Sequence, residues 1–326
     1  MDQLPTIFLP LSVWFQGLGE WLIPPMQAIT FLGNEFFYIL VMPALYWCLN
    51  ASLGIEIGIV LLLSGNLNTL LKLTFYSPRP FWISPEIRKL ASGTSFGFPS
   101  GHAQNAASLW GFAAVKAQKL SLQIFLVGLI FLIGLSRIVL GVHFFHDVLF
   151  GWLVGTLLLT AYLRLRAPFL GWFDNYSPGK KVLLILICSL LFLGSGLALS
   201  LLQSANPLPA EWLLRMETPA DTASLESIFS ISAIFFGMGS GIILLPFSSQ
   251  RLNSGSALHK GIRYTVGLAG VLLLYAGLGA LFPDGRTPAA LILRYLRYTL
   301  IGAWIAWWAP LVFDRLGLLP GLKPQG

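Results

Sequence analysis

The chain has 326 residues, of which 56% are hydrophobic and only 10% charged, and its mean hydropathy is +0.76. A soluble domain carries about a quarter charged residues, so this composition excludes a soluble fold with one anchor and indicates an integral membrane protein. The formal net charge of +7 comes without a Lys/Arg-rich run, which argues for basic cytoplasmic loops and against a nucleic-acid partner.

Taken in chain order, residues 6–31 combine Pro10, Pro24, Pro25 and Glu20 with Trp14, Phe15 and Trp21. That mixture predicts an interfacial or partly inserted amphipathic helix. Met1-Asp2 lacks the basic start of a cleavable signal peptide. A helix needs about 20 apolar residues to cross a bilayer. Spans are predicted near 34–50, 52–75, 101–119, 121–141, 144–166, 181–202, 224–247, 260–281 and 288–313. The two cysteines, Cys48 and Cys188, fall in apolar stretches and read as free core thiols. The expected fold is all-α, a polytopic membrane helix bundle. Residues 1–170 are expected to form a six-helix catalytic membrane domain, and 171–326 a C-terminal extension with about three extra transmembrane helices. The extension could serve packing, dimerisation or substrate gating, so a homo-oligomer is compatible with it.

Loop charges predict the orientation. Lys116, Lys119, Arg164, Arg166, Lys180, Lys181, Arg251, Lys260, Arg263, Arg315 and Lys323 collect on one side. Arg88, Lys89, Arg215 and Arg286 fall on the other, among Glu86, Glu211, Glu217, Asp221, Glu226 and Asp284. The positive-inside rule puts the first side in the cytoplasm. Nine spans then leave the N-terminus outside and the C-terminus inside.

Three polar clusters interrupt the apolar chain, and this topology brings all three to the extracytoplasmic side. Ionisable groups are expensive at membrane depth, so they are functional candidates. In the first cluster, Lys72 ends a span and Arg79 lies between Pro78 and Pro80, which stop a regular helix. Positioned cations suit a phosphate, although Lys72 taken alone reads first as a snorkelling lysine. In the second, Pro99-Ser100-Gly101-His102 reads as a capped helix start whose free N–H groups can bind an anion. In the third, Ser136-Arg137 precedes His143 and Asp147, which are four apart and share a helix face. A carboxylate on Nδ1 would leave Nε2 free to attack; a structural His–Asp cap reads the same residues. His146 is expected to face away from Asp147.

Together and in this order, K-x6-R-P, P-S-G-H and S-R-x5-H-x3-D resemble the signature of the type 2 phosphatidic acid phosphatase superfamily, and every fixed position is matched. The motif-bearing sequence runs over roughly residues 50–165, and the later spans are similar in topology to glucose-6-phosphatases and sphingosine-phosphate phosphatases. The resemblance implies a six-helix core of that family and a phosphatase that uses no metal or other cofactor. It implies phosphate binding by Lys72, Arg79, Arg137 and the N–H groups of Ser100 and Gly101. It further implies nucleophilic attack by His143, orientation of His143 by Asp147, and acid–base work by His102.

A site at the outer interface favours a phosphorylated lipid as substrate and surrounding membrane lipids as partners. Phosphatidate, a sphingoid phosphate, phosphatidylglycerophosphate and a polyprenyl diphosphate all fit, and a soluble sugar phosphate remains an alternative. The aromatic, Gly-rich loop 81–98 is expected to lid the site, with Trp82 either on lipid tails or anchoring the interface. Two other activities compete: phosphotransfer to an alcohol and, in a different class, transport of a lipid or anion. The transport reading draws on Arg294 and Arg297 inside the last span.

Overall fold

A computed structural model describes residues 7–203, 207–216 and 219–320, except for the side chain of Thr222. Among these residues every regular element is helical. That follows from the solvent, because hydrocarbon offers no partner for a backbone amide and a helix satisfies its own.

Two short helices, α1 (Leu9–Gln16) and α2 (Ile23–Phe31), open the chain. α3 (Glu35–Ala44) follows and ends in one wide turn over Leu45–Leu49. The long α4 (Ala51–Phe75), the four-residue α5 (Pro80–Ile83), α6 (Gly101–Lys116), α7 (Leu120–Val139) and α8 (Phe145–Phe173) come next. The remainder comprises α9 (Pro178–Gln203), the short α10 (Ala210–Leu213), α11 (Ala220–Leu244), α12 (Ala257–Leu281), α13 (Pro288–Ala303) and α14 (Ala309–Arg315).

By length and composition seven helices can cross a membrane, or eight if 20–31 and 35–49, bent by 43°, make one span. The nine expected spans exceed this by one. The missing one is α6, which has only 16 residues, about 24 Å at 1.5 Å per residue. Four long helices follow residue 173, one at each of the spans expected near 181–202, 224–247, 260–281 and 288–313, so the extension holds four and not about three.

The chain forms two compact units: Met1–Tyr38, Leu63–Ala167 and Gly194–Ile228 in one, Ile39–Leu62, Pro168–Leu193 and Phe229–Gly326 in the other. In the first unit α8 lies tightly on α6. A Cβ at Gly151 would meet Ser100 O at 2.6 Å, and one at Gly155 would meet Gln104 O at 2.3 Å. Small residues of this kind let membrane helices approach backbone to backbone. The approach ties Asp147 to the start of α6, where Ser100 N donates to the backbone oxygen of Asp147 at 3.0 Å.

A buried polar ladder joins α4 to α6. Asn68 Nδ2 donates to Gln104 Oε1 (2.9 Å) and to Pro99 O (3.3 Å), and Gln104 Nε2 donates to Ser64 O (2.8 Å). Ser108 Oγ donates to Gln104 O at 2.9 Å. In an apolar surrounding each of these groups would be costly unpaired, so the ladder fixes the register of the two helices.

The second unit has its own core around Tyr46, Trp47, Leu252, Val271, Ile301 and Phe313. The helical hydrogen-bond pattern widens over Trp304–Trp308, which frees carbonyls. Tyr46 Oη donates to Ala306 O (3.2 Å) and Trp47 Nε1 to Ile305 O (2.9 Å). Such widened turns leave backbone oxygens that a neighbour must satisfy.

Candidate active site

All the polar clusters singled out by sequence lie in the first unit, and each is placed by an ordinary structural device. Lys72 sits in the last turn of α4. Arg79 is the extended residue before α5, held there because Pro80 follows it. Ser100 caps α6 and accepts from Ala103 N at 3.5 Å. Arg137 closes α7, and the turn after it is possible because Gly141 takes φ +72°. His143 follows that turn, with its backbone N–H donating to Arg137 O at 3.2 Å.

Lys72, Arg79, Arg137, His143 and Asp147 are all buried, at 6%, 3%, 2%, 2% and 0% exposure. His143 Nδ1 lies 3.3 Å from Asp147 Oδ2, which also accepts from Phe144 N at 2.9 Å. The other ring nitrogen, His143 Nε2, lies 3.3 Å from an Arg79 terminal nitrogen. His143 thus has a carboxylate on one nitrogen and a guanidinium on the other. Burial first, then the charges of Arg79, Lys72, Arg137 and His102, hold its imidazole well below the usual histidine value. The ring is therefore neutral near pH 7, the state in which a nitrogen can attack.

Lys72 and Arg79 share acceptors in the loop before α6, and Arg137 bonds a different carbonyl of the same loop. Arg79 Nε donates to Ser95 O at 2.6 Å, and its second terminal nitrogen reaches Phe96 O at 3.4 Å and Ser95 Oγ at 3.5 Å. Lys72 Nζ donates to Ser95 Oγ at 3.1 Å and to Phe96 O. Arg137 donates to Ser92 O at 2.9 Å and to Thr30 Oγ1 at 2.6 Å. Carbonyls orient a cation without neutralising its charge, so positive charge remains available to an anion. Gly93 leaves room for this: a Cβ there would stand 2.8 Å from an Arg79 nitrogen.

His102 lies in the first turn of α6 beside Gly33, and its Nε2 is buried without a hydrogen-bond partner. An unpaired buried nitrogen is one that a ligand or water can use. Gly101 faces Asn68, where a Cβ would stand 2.9 Å from Oδ1. Among the described residues no three His, Cys, Asp or Glu side chains form a group that could hold a metal ion.

Two expectations need correction. His146 does not turn away from Asp147: its Nε2 is 3.2 Å from Oδ1, although off the line of a hydrogen bond. The stacking of its ring on Phe144, at 5.4 Å between centroids, and on Phe98, at 5.9 Å, holds it there. Trp82 touches neither tails nor interface. It is 1% exposed in a core with Phe81, Ile87, Phe96 and Val142. Loop 84–98 lies on the site's cations and is held in place by hydrogen bonds. Gln16 exchanges hydrogen bonds with the Arg88 backbone, and Leu90 N donates to Leu140 O at 3.0 Å.

Sequence reading missed Thr30, Ser92 and Ser95, the partners of the cations. It also missed the Ser64, Asn68, Gln104 and Ser108 ladder. The ladder did carry a signal: both pairs recur four residues apart, a polar stripe on each helix.

A buried histidine with a carboxylate on one nitrogen and an arginine on the other, and two further cations whose charges reach it, suits phosphoryl transfer. Comparisons with known proteins agree. The PAP2 superfamily model matches residues 53–170, and a second model, the transmembrane extension of PAP2 superfamily phosphatases, matches 229–321. The second match takes in most of α11 and all of α12–α14. The chain is 30% identical over 154 residues to phosphatidylglycerophosphatase B of Bacillus subtilis, covering 42% of this chain and 72% of that one. It is 25% identical over 280 residues to glucose-6-phosphatase catalytic subunit 1 of Haplochromis nubilus, covering 74% and 77% of the two chains. A probable sphingosine-1-phosphate phosphatase of Dictyostelium discoideum is 29% identical over 181 residues, 50% of this chain and 44% of that one.

The chain belongs to the PAP2 superfamily. It is a multi-pass integral membrane phosphatase, and a transmembrane extension follows its PAP2 region.

Proposed function

We propose that this phosphatase removes phosphate from a membrane lipid through a phosphohistidine on His143, without a metal. The observation that carries the reading is the placement of His143, with Asp147 on Nδ1, Arg79 on Nε2, and the charges of Lys72 and Arg137 bearing on the same ring. In the first step Nε2 attacks phosphorus, the N–P bond forms and the P–O ester bond breaks. The leaving alkoxide takes a proton from His102. In the second, His102 takes a proton from water, the water oxygen bonds to phosphorus and the N–P bond breaks. Lys72, Arg79 and Arg137 balance the charge on the equatorial oxygens together with the N–H group of Gly101, since the Ser100 N–H expected to join them donates instead to the backbone oxygen of Asp147. Asp147 holds the ring and offsets the positive charge it gains.

Loop charges support a site on the extracytoplasmic side with a cytoplasmic C-terminus. Residues 1–170 would then be the catalytic domain and 171–326 its extension. A lipid substrate is favoured by an open apolar hollow of about 380 Å³ lined by Phe8, Phe98, His146, Leu149, Phe150 and Leu153. The relatives that support this are named for phosphatidylglycerophosphate and sphingosine 1-phosphate. One observation favours a soluble sugar phosphate instead: the match to the glucose-6-phosphatase subunit spans 74% of this chain.

The test is release of inorganic phosphate by purified protein in detergent from a panel of phosphatidate, sphingoid phosphate, phosphatidylglycerophosphate, polyprenyl diphosphate and glucose 6-phosphate. Turnover of a lipid that persists in EDTA and disappears in His143→Ala supports the reading. Turnover of glucose 6-phosphate alone, or none without Mg²⁺, overturns it.

A further inference from the structure

We infer that the hydroxyl of Ser95 is a further phosphate-binding group, donating a hydrogen bond to the phosphoryl oxygen held by Lys72 and Arg79. The inference rests on the phosphatase reading and concerns a residue outside the three signature motifs. Ser95 Oγ stands 3.1 Å from Lys72 Nζ and 3.5 Å from an Arg79 terminal nitrogen. In both contacts the hydroxyl oxygen accepts. Its own proton has no acceptor among the described residues. A serine hydroxyl can accept twice and donate once, so one directed donor is left over. That donor sits beside two of the three cations around His143.

The long contacts are the ones a phosphate would displace. Arg79 makes short bonds to Ser95 O (2.6 Å) and Val142 O (2.8 Å), which fix its plane. Its contacts to Ser95 Oγ and Phe96 O, at 3.5 and 3.4 Å, are weak. An anionic oxygen competing for those N–H groups wins, because a charge-assisted bond is about twice as strong as a neutral one. Once an oxygen takes that place, Ser95 Oγ is a neighbour of it, and the hydroxyl turns from acceptor to donor. Ser95 and Phe96 are tethered to the two cations through their backbone oxygens, so the hydroxyl does not have to be brought in from solvent. This preorganisation is the form in which a hydrogen bond contributes most to anion binding.

The chemistry selects the ligand. Lys72 and Arg79 bind any oxyanion, whereas Ser95 adds a donor that a phosphoryl group with several free oxygens can satisfy. Inorganic phosphate and vanadate carry that group without any lipid, so their binding tests Ser95 separately from substrate choice.

The experiment compares wild type, Ser95→Ala and Ser95→Thr in detergent. It reads the dissociation constants of inorganic phosphate and vanadate, KM and kcat for the best substrate, and melting temperature without ligand. Ser95→Ala is expected to weaken phosphate and vanadate by about tenfold, the loss of one hydrogen bond to a charged group. KM should rise similarly, kcat should fall by less, and the unliganded melting temperature should stay put. Ser95→Thr keeps a hydroxyl and should restore most of the affinity. Equal affinities in wild type and Ser95→Ala overturn the inference. So does a lower unliganded melting temperature at unchanged affinity, which would mark a purely structural serine. Wild-type protein that binds neither anion also overturns it. Failure of the phosphatase reading looks different: wild type then releases no phosphate, or His143→Ala still does.

Discussion

Buried arginines occur in both units of this chain, and they do different work. Arg79 and Arg137 in the first unit are 3% and 2% exposed; Arg263 and Arg297 in the second are 0% and 8% exposed. Composition alone does not separate them, since each is a cation in an apolar helix or beside one. Their partners do. Arg263 donates to Leu252 O (2.9 Å) and Ser254 O (2.6 Å), closing the turn before its own helix. Arg297 stacks on Tyr298 and Tyr275, at 5.0 and 5.5 Å from the ring centroids. Arg79 also bonds carbonyls, but one of its nitrogens faces His143, which in turn meets Asp147. A buried cation is a structural clamp until it shares space with a group that can attack or move a proton. Arg294, the neighbouring cation of the same helix, lies 3.6 Å from Asp284.

The contrast can be broken by substitution. His143→Ala should reduce kcat on the order of 10⁴-fold or more with the melting temperature little changed, as loss of a nucleophile does. Phosphate-release kinetics on the folded variant check this. Asp147→Asn should cost about 10²–10⁴-fold in kcat, since an amide no longer fixes the tautomer. Arg79→Gln should cost roughly 10²–10³-fold through lost stabilisation of transition-state charge. Arg263→Leu should leave kcat within about twofold. It should lower stability by about 1–3 kcal/mol because two buried carbonyls lose their donor, read as a drop in melting temperature. If Arg263→Leu abolished turnover in folded protein, the distinction between clamp and catalytic cation would fail.

A smaller effect concerns pH. The attacking ring must be unprotonated, and burial with the neighbouring positive charges lowers its pKa below the usual value. The neutral fraction rises with pH and is complete earlier than for an ordinary histidine, so the acid limb of kcat/KM should lie on the acid side of an ordinary histidine titration. A limb at or above pH 7 would show a ring that is not held neutral.

Much of the site was legible because charge in hydrocarbon is conspicuous. Lys72, Arg79, Arg137, His143 and Asp147 announced themselves, and Ser100 with Gly101 marked a helix start that the structure places at Gly101. The long apolar helices were legible from length. The span count was not, because α6 stops at Lys116 after 16 residues, and its Gln104, Asn105 and Ser108 carried no sign of their partners. Those residues serve a ladder whose other half is on α4, and sequence gives no pairing across 36 to 41 positions. The partners of Arg137 were hidden for the same reason, as Thr30 lies 107 positions away. His146 was misread because helical spacing separates adjacent residues, whereas the helix begins only at Phe145 and aromatic stacking turns the ring back.

The central claim is that His143 becomes phosphorylated during turnover. Rapid acid-free quenching with a substrate labelled in its phosphate, followed by peptide mapping, tests it directly. The expected result is an acid-labile, base-stable phosphate on the peptide containing His143, at up to one per chain, absent from His143→Ala. Full turnover with no labelled peptide at any quench time, or label on another residue, would contradict it.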